Sequence, residues 1–179
     1  MPEDAKKDVV LVGFDRTGYS IFHKLIKLKK EFLVIDQNPM VIRKLIHDKI
    51  SCIYGDIGNP EILERLNFEK IKLIISTVPD ERASHYLIQK AKEINPDISV
   101  FVTVYQIDDA LDLYEAGADY VILPHLIGGD HVSFILEDIS EDFTKIIKKK
   151  VEHIQDLHHR RNLHHHHPAM HPHQPKHHL

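Results

Sequence analysis

Six short apolar runs punctuate the first two thirds of the chain, at residues 9–13, 32–36, 51–54, 73–77, 99–104 and 120–123. All are rich in Val and Ile. None alternates strictly with polar residues, the pattern of strands covered on both faces. The segments between them carry helical spacing instead. Phe22, Leu25 and Ile26 recur at i, i+3 and i+4, as do Val41, Leu45 and Ile46, then Ile62, Leu63 and Leu66. Tyr86, Leu87, Lys90, Ala91 and Ile94 mark a fourth helix, and Ala110, Leu111 and Tyr114 a fifth.

The punctuation agrees. Pro39, Pro60 and Pro79 fall near predicted helix starts, where a missing N–H costs little, and Gly117 follows the fifth helix as a C-terminal cap. Regular β-α alternation predicts a parallel sheet with helices on both faces. Six strands at this spacing fit a Rossmann-like, doubly wound α/β fold of order 3-2-1-4-5-6. After Leu123 the pattern changes. Pro124, Gly128 and Gly129 predict a break, followed by a helical segment from about residue 131 to 151 that turns basic at Lys148, Lys149 and Lys150. From His158 onward the chain holds ten histidines and three prolines, a low-complexity composition that predicts a disordered tail. The expected division is an extension at 1–7, a nucleotide-type domain at 8–139, a basic helical extension at 140–157 and the tail at 158–179.

Composition narrows the class. Of 179 residues, 42% are apolar, enough for a real core, and the formal charge of −4 argues against a broad nucleic-acid surface. The single cysteine, Cys52, excludes an internal disulfide and suits a reducing compartment; in its apolar surroundings it reads as a small core residue. No run approaches the roughly 18 apolar residues of a membrane span, and the N-terminus lacks a signal-peptide core. The expectation is a cytosolic domain, either excised or a stand-alone subunit.

The main constellation is Gly13-Phe14-Asp15-Arg16-Thr17-Gly18, placed after a strand and opening a helix, the context that G-x-G-x-x-G requires. Gly13 allows the tight turn and Gly18 the close packing of helix on strand. Asp15 replaces the middle glycine and adds bulk and negative charge where a pyrophosphate approaches. Asp36 ends the second strand 18 residues after Gly18. An acid there accepts from ribose hydroxyls and repels a 2′-phosphate, which disfavours NADP. Arg16 either reaches a phosphate or is a solvated surface arginine. Gly55 and Asp56 follow the third strand, and Thr77 ends the fourth, both at carboxyl ends where ligands bind. Asp56 contacts adenine or caps the next helix; Thr77 donates to ligand or caps. The alternative is a vestigial fold that keeps its glycines only for the turn.

These strings, with Val34-Ile35-Asp36, Tyr54-Gly55-Asp56, Ser76-Thr77-Val78-Pro79-Asp80 and Ala116-Gly117-Ala118-Asp119, resemble the TrkA-N domain, also called the KTN or RCK N-terminal domain. The likeness runs from about residue 8 to 138. Leu123-Pro124-His125-Leu126-Ile127-Gly128-Gly129-Asp130-His131 resembles the version attached to Kef-type cation:proton antiporters. The resemblance implies a non-enzymatic regulatory domain that pairs with a second copy and gates potassium or sodium flux through a membrane antiporter or channel. The implied ligands are NAD(H), AMP, ADP or ATP, with glutathione in some Kef systems. The implied contacts are residues 13 to 18, Asp36, Gly55, Asp56 and Thr77. Two positions depart from the family pattern. Asp15 favours a mononucleotide such as AMP over NAD, and Ser84 stands where asparagine is frequent. A second, C-terminal RCK subdomain is not expected.

Two rival functions rest on other residues. A small NAD-dependent oxidoreductase needs an acid–base group, for which His125 is the best placed candidate, yet only about 55 residues follow Leu123 to build a substrate domain. The second is a vestigial interaction module with Ni²⁺ or Zn²⁺ on the tail histidines (164–167, 171 and 173). Neither explains the alternating core. The apolar positions Val132, Ile135, Leu136 and Ile139 form a helical stripe covered either by the domain's own sheet or by a second subunit in a homodimer.

Overall fold

The structure is a computed structural model; it describes residues 7–139 and 145–164. The chain falls into two compact units, residues 1–128 and 129–179.

The first unit holds six strands: β1 (Val9–Val12), β2 (Phe32–Asp36), β3 (Cys52–Tyr54), β4 (Leu73–Ser76), β5 (Ser99–Thr103) and β6 (Tyr120–Ile122). They form one sheet of order β3-β2-β1-β4-β5-β6. Every pairing is parallel. Five helices alternate with them: α1 (Arg16–Lys27), α2 (Pro39–His47), α3 (Pro60–Glu64), α4 (Glu81–Ile94) and α5 (Ile107–Glu115). The doubly wound order expected from the spacing is therefore present.

Alternate residues of each strand serve opposite faces. On one face Val10, Val12, Ile74, Val100 and Val102 pack with Ile62 and Leu63 of α3, Leu87 and Ile88 of α4 and Leu113 of α5. The α1 and α2 helices bury Phe22, Leu25, Val41 and Leu45. Phe22 meets Phe14 and Phe32 edge-on, at centroid distances of 4.8 and 5.5 Å. Burying side chains of this size stabilises by about 1.5–3 kcal/mol each.

The helix starts are chemically marked. Asn38, Asn59 and Asp80 accept from the N–H groups of Met40, Glu61 and Ala83, so α2, α3 and α4 are side-chain capped. Pro39 and Pro60 occupy first helical positions, and Gly117 ends α5 with φ of 105°. The periodicity misplaced some faces. Ile26, Ile46 and Leu111 are largely exposed, and the ring of Tyr114 is half out while its hydroxyl accepts from Val121 N–H at 3.0 Å. The buried partners are Ile42 in α2 and Leu113 in α5.

The predicted break after Leu123 is absent. Helix α6 runs from Pro124 to Ile139 through both Gly128 and Gly129. A proline fits the first turn, and each glycine costs only about 1 kcal/mol relative to alanine without clashing. In the second unit, α7 spans Lys145–His164 and so extends past the expected tail boundary at 158. The rest of the predicted tail lies outside the described residues. Also in this unit, Lys149 pairs with Asp138 at 3.0 Å. No described helix is long and apolar enough to cross a membrane.

Candidate nucleotide site

The strand order reverses between β1 and β4, and in open α/β sheets ligands bind at the carboxyl ends of the strands at such a point. The register places Val12 opposite both Ile35 and Ser76. The next residue of each strand is therefore brought level: Gly13, Asp36 and Thr77. Three of the predicted residues, far apart in sequence, converge at one point.

Gly13 adopts φ of 84°, a conformation that a side chain strains. It also has no room for one, because a Cβ there would lie 2.6 Å from Thr77 Oγ1. A Cβ on Gly18 would collide with the carbonyl oxygen of Gly13. The two outer glycines thus seat α1 against the end of β1. Gly55 is constrained likewise, since a Cβ would overlap the Ile62 side chain. Its N–H donates to the Asp36 carbonyl at 3.0 Å.

Asp36 does more than end a strand. One carboxylate oxygen accepts from Phe14 N–H and the other from Asn38 N–H, both at 2.7 Å. Each oxygen has a further lone pair, so ribose hydroxyls can be accepted beside these bonds. Phe14, placed among the contact residues by the resemblance, contributes main chain only. Its side chain is buried against Tyr19 and Phe22.

Asp15 is the N-cap residue of α1, in extended conformation and exposed, and its side chain makes no capping hydrogen bond. The first helical bond is Tyr19 N–H to Asp15 carbonyl at 2.7 Å, so the N–H groups of Arg16, Thr17 and Gly18 precede the helical ladder. These donors, the positive end of the helix dipole and the exposed Arg16 face the requirements of a phosphate. Thr17 is exposed beside them.

The capping roles considered for Asp56 and Thr77 are not the ones they play. Asp56 accepts from Gly58 N–H at 2.9 Å within its own turn, and Asn59 caps α3. The Thr77 hydroxyl lies 3.0 Å from the carbonyl of Val12 and 3.2 Å from that of Gly13, while Asp80 caps α4. Sequence spacing carried no signal for either bond.

Other motif positions prove architectural. Asp119 accepts from Val100 N–H at 2.7 Å and Lys92 at 2.8 Å. Burial pushes its carboxyl up, but the Lys92 and Val100 bonds and the Lys92 charge outweigh burial and hold it below the ordinary value. Ser84, the second departure from the family pattern, is buried, and its hydroxyl has no hydrogen-bond partner. Cys52 is half-buried in β3. His125 lies exposed in the first turn of α6. Among the described residues, no three His, Cys, Asp or Glu side chains cluster to hold a metal.

Comparison with known proteins shows the family and the fold. Potassium channel protein 1 of Methanocaldococcus jannaschii is 27% identical over 154 residues, which cover 85% of this chain and 46% of that protein. The chain thus spans about half the length of the channel proteins it matches. The TrkA-N domain of the Escherichia coli inner membrane protein YbaL superposes with a TM-score of 0.70 at 23% identity, over 75% of this chain and 99% of that one. The AMP-bound Kef C-terminal domain of Shewanella denitrificans superposes with a TM-score of 0.62 at 13% identity, over 87% of this chain and 94% of that one. The NAD-bound GsuK channel gives 0.56 at 19% identity, over 69% and 22%, and GsuK has also been solved with ADP. At these identities the structures speak for the fold. The TrkA-N domain model matches residues 9–124, the whole sheet and its helices, and the chain belongs to the TrkA-N domain family.

Proposed function

We propose that this domain is a regulatory module, not an enzyme, that binds an adenine nucleotide and thereby gates monovalent-cation movement through a membrane antiporter or channel. The observation that carries the reading is the placement of Asp36 beside the uncapped start of α1 at the point where strand order reverses. Ribose hydroxyls are accepted by Asp36, and phosphate sits on the N–H groups of Arg16, Thr17 and Gly18 with Arg16 completing the charge. Gly13 and Gly55 let the turns close against Thr77 and Ile62, and Asp56 borders the base. The exposed Asp15 carboxylate repels a second phosphate, which favours AMP over a dinucleotide. Nucleotides held by relatives of this fold, AMP, ADP and NAD, support the ligand class. Titration calorimetry with AMP, ADP, NAD and NADP tests it. AMP or ADP should bind at micromolar to low-millimolar levels and NADP far more weakly; absence of any binding at millimolar concentration refutes the site.

Coupling to flux requires that ligand change a contact felt by a partner. The reading assigns that contact to a homodimer built on the second unit, where Val132 and Leu136 are 54% and 58% exposed. Location at the cytosolic face of the membrane follows from the transport partner. Light scattering reads the dimer directly, as a mass of twice 20.8 kDa.

A further inference from the structure

The Gly13–Phe14 peptide unit is held from both sides. Its N–H donates to Asp36 Oδ2 at 2.7 Å, from the end of β2. Its carbonyl oxygen lies 3.2 Å from Thr77 Oγ1, just past the end of β4. Asp36 and Thr77 are 22 and 64 residues from the peptide they grip, on the two strands that flank β1. Thr77 is anchored in turn, since its own N–H donates to Val12 O at 2.8 Å and its hydroxyl also reaches that oxygen at 3.0 Å.

This peptide sets the entry to α1. Gly13 is buried, and among the described residues the donor within reach of its carbonyl oxygen is Thr77 Oγ1, whose single proton is shared between the Val12 and Gly13 carbonyls. A buried carbonyl left without a donor is costly, so losing the hydroxyl favours rotation of this plane. Rotation is easy at a residue with no Cβ and positive φ. The same carbonyl is the atom against which Gly18 packs, so turning it shifts the first turn of α1 and the N–H groups there.

We propose that Thr77 is a positioning residue for phosphate: its hydroxyl, opposite Asp36, fixes the Gly13–Phe14 peptide and so aims the first N–H groups of α1. This rests on the nucleotide reading above. It replaces a direct ligand contact at Thr77 with an action through the turn. Phosphate-bearing ligands therefore lose more than adenosine, which feels the hydroxyl only through the Phe14 N–H bond to Asp36.

Three variants test this in the full chain. Thr77→Val keeps the shape and removes the hydroxyl, Thr77→Ala removes both, and Thr77→Ser restores the hydroxyl. Calorimetry compares AMP with adenosine for each, and hydrogen exchange follows the peptide covering residues 13–18. Thr77→Val and Thr77→Ala are expected to weaken AMP about tenfold, weaken adenosine by no more than about threefold and speed exchange over 13–18. Thr77→Ser is expected within twofold of the parent. Equal loss of AMP and adenosine, or unchanged AMP binding, overturns the proposal. If the parent binds no AMP, the nucleotide reading fails, and the exchange arm alone decides: unchanged exchange in Thr77→Val and Thr77→Ala refutes the clamp. Should Thr77→Val not fold, Thr77→Ala gives the same comparison.

Discussion

Replacing Asp36 separates stability from affinity, because its carboxylate already serves the fold before any ligand arrives. Asp36→Ala removes the acceptor of two N–H groups, each bonded at 2.7 Å. Hydrogen bonds to a charged acceptor contribute about 1.5–3 kcal/mol each. Partial exposure of Asp36 puts both at the low end, and Asn38 N–H can turn to water while the donor on buried Phe14 cannot. The loss should therefore be roughly 2–3 kcal/mol, or about 4–12 °C in Tm for a chain of this size. Asp36→Asn keeps one acceptor oxygen, so it should lose about half of that. Nucleotide affinity should fall further than the turn alone explains, by roughly 1–3 kcal/mol for the ribose bonds, and adenosine should suffer as much as AMP. Thermal unfolding and calorimetry on the same samples read both effects. An Asp36→Ala protein with unchanged Tm would show that the carboxylate does not hold the turn. An Asn variant as unstable as the Ala variant would refute the two-bond account.

Other expectations are smaller and independent. Asp15→Gly should strengthen NAD binding more than AMP binding in calorimetry; equal gains would place the carboxylate away from the phosphate path. Lys92→Met should destabilise the domain by about 1 kcal/mol after allowing for the exposure of the pair. The folded Asp119 carboxyl lies below its ordinary value, so this stabilisation is complete above the unfolded value of about 3.9 and disappears as pH falls through the folded one. Unfolding of parent and variant should therefore differ most at neutral pH, and the gap should narrow in acid to the loss of the Lys92 bond to the Ile98 carbonyl; a gap that does not narrow as pH falls contradicts the pairing. Asn59→Ala should cost about 1 kcal/mol as a lost cap, without changing AMP affinity. Val132→Asp with Leu136→Asp should give folded monomers by light scattering; a parent chain that is monomeric with and without nucleotide leaves the coupling without its dimer.

The sheet order and both glycine constraints were legible because they depend on local chemistry. Val/Ile runs, turn prolines and the Gly13 and Gly18 spacing each write one structural demand into adjacent residues. Faces of short helices were less legible. Tyr114 counts as apolar in a periodicity, yet its hydroxyl takes the Val121 N–H and pulls the ring to the edge of the core. The helix through Gly128 and Gly129 was missed because glycine lowers helix stability only modestly, whereas the expected break treated two in succession as a stop. The bonds that Thr77 and Asp36 make to the Gly13–Phe14 peptide could not be read at all. They join the ends of three strands, and only the register of the folded sheet brings those ends level.

That register also sorts the motif that carried the family likeness into scaffold and site. Ala116-Gly117-Ala118-Asp119 is explained by folding: Gly117 takes positive φ after α5, and Asp119 ties β6 to Val100 and Lys92. Asp80 of the β4 string caps α4, and Asp56 closes its own turn. None of these needs a ligand. Gly13, Asp36 and Thr77 meet at one turn, where a carboxylate on one side and a hydroxyl on the other fix a single peptide. Fixing that plane stabilises the fold through the Asp36 bonds and also orients the donors of α1, the part that serves the proposed phosphate. A vestigial fold would keep the glycines and these bonds for stability alone; loss of AMP affinity beyond that of adenosine on removing the Thr77 hydroxyl is the result it would not produce.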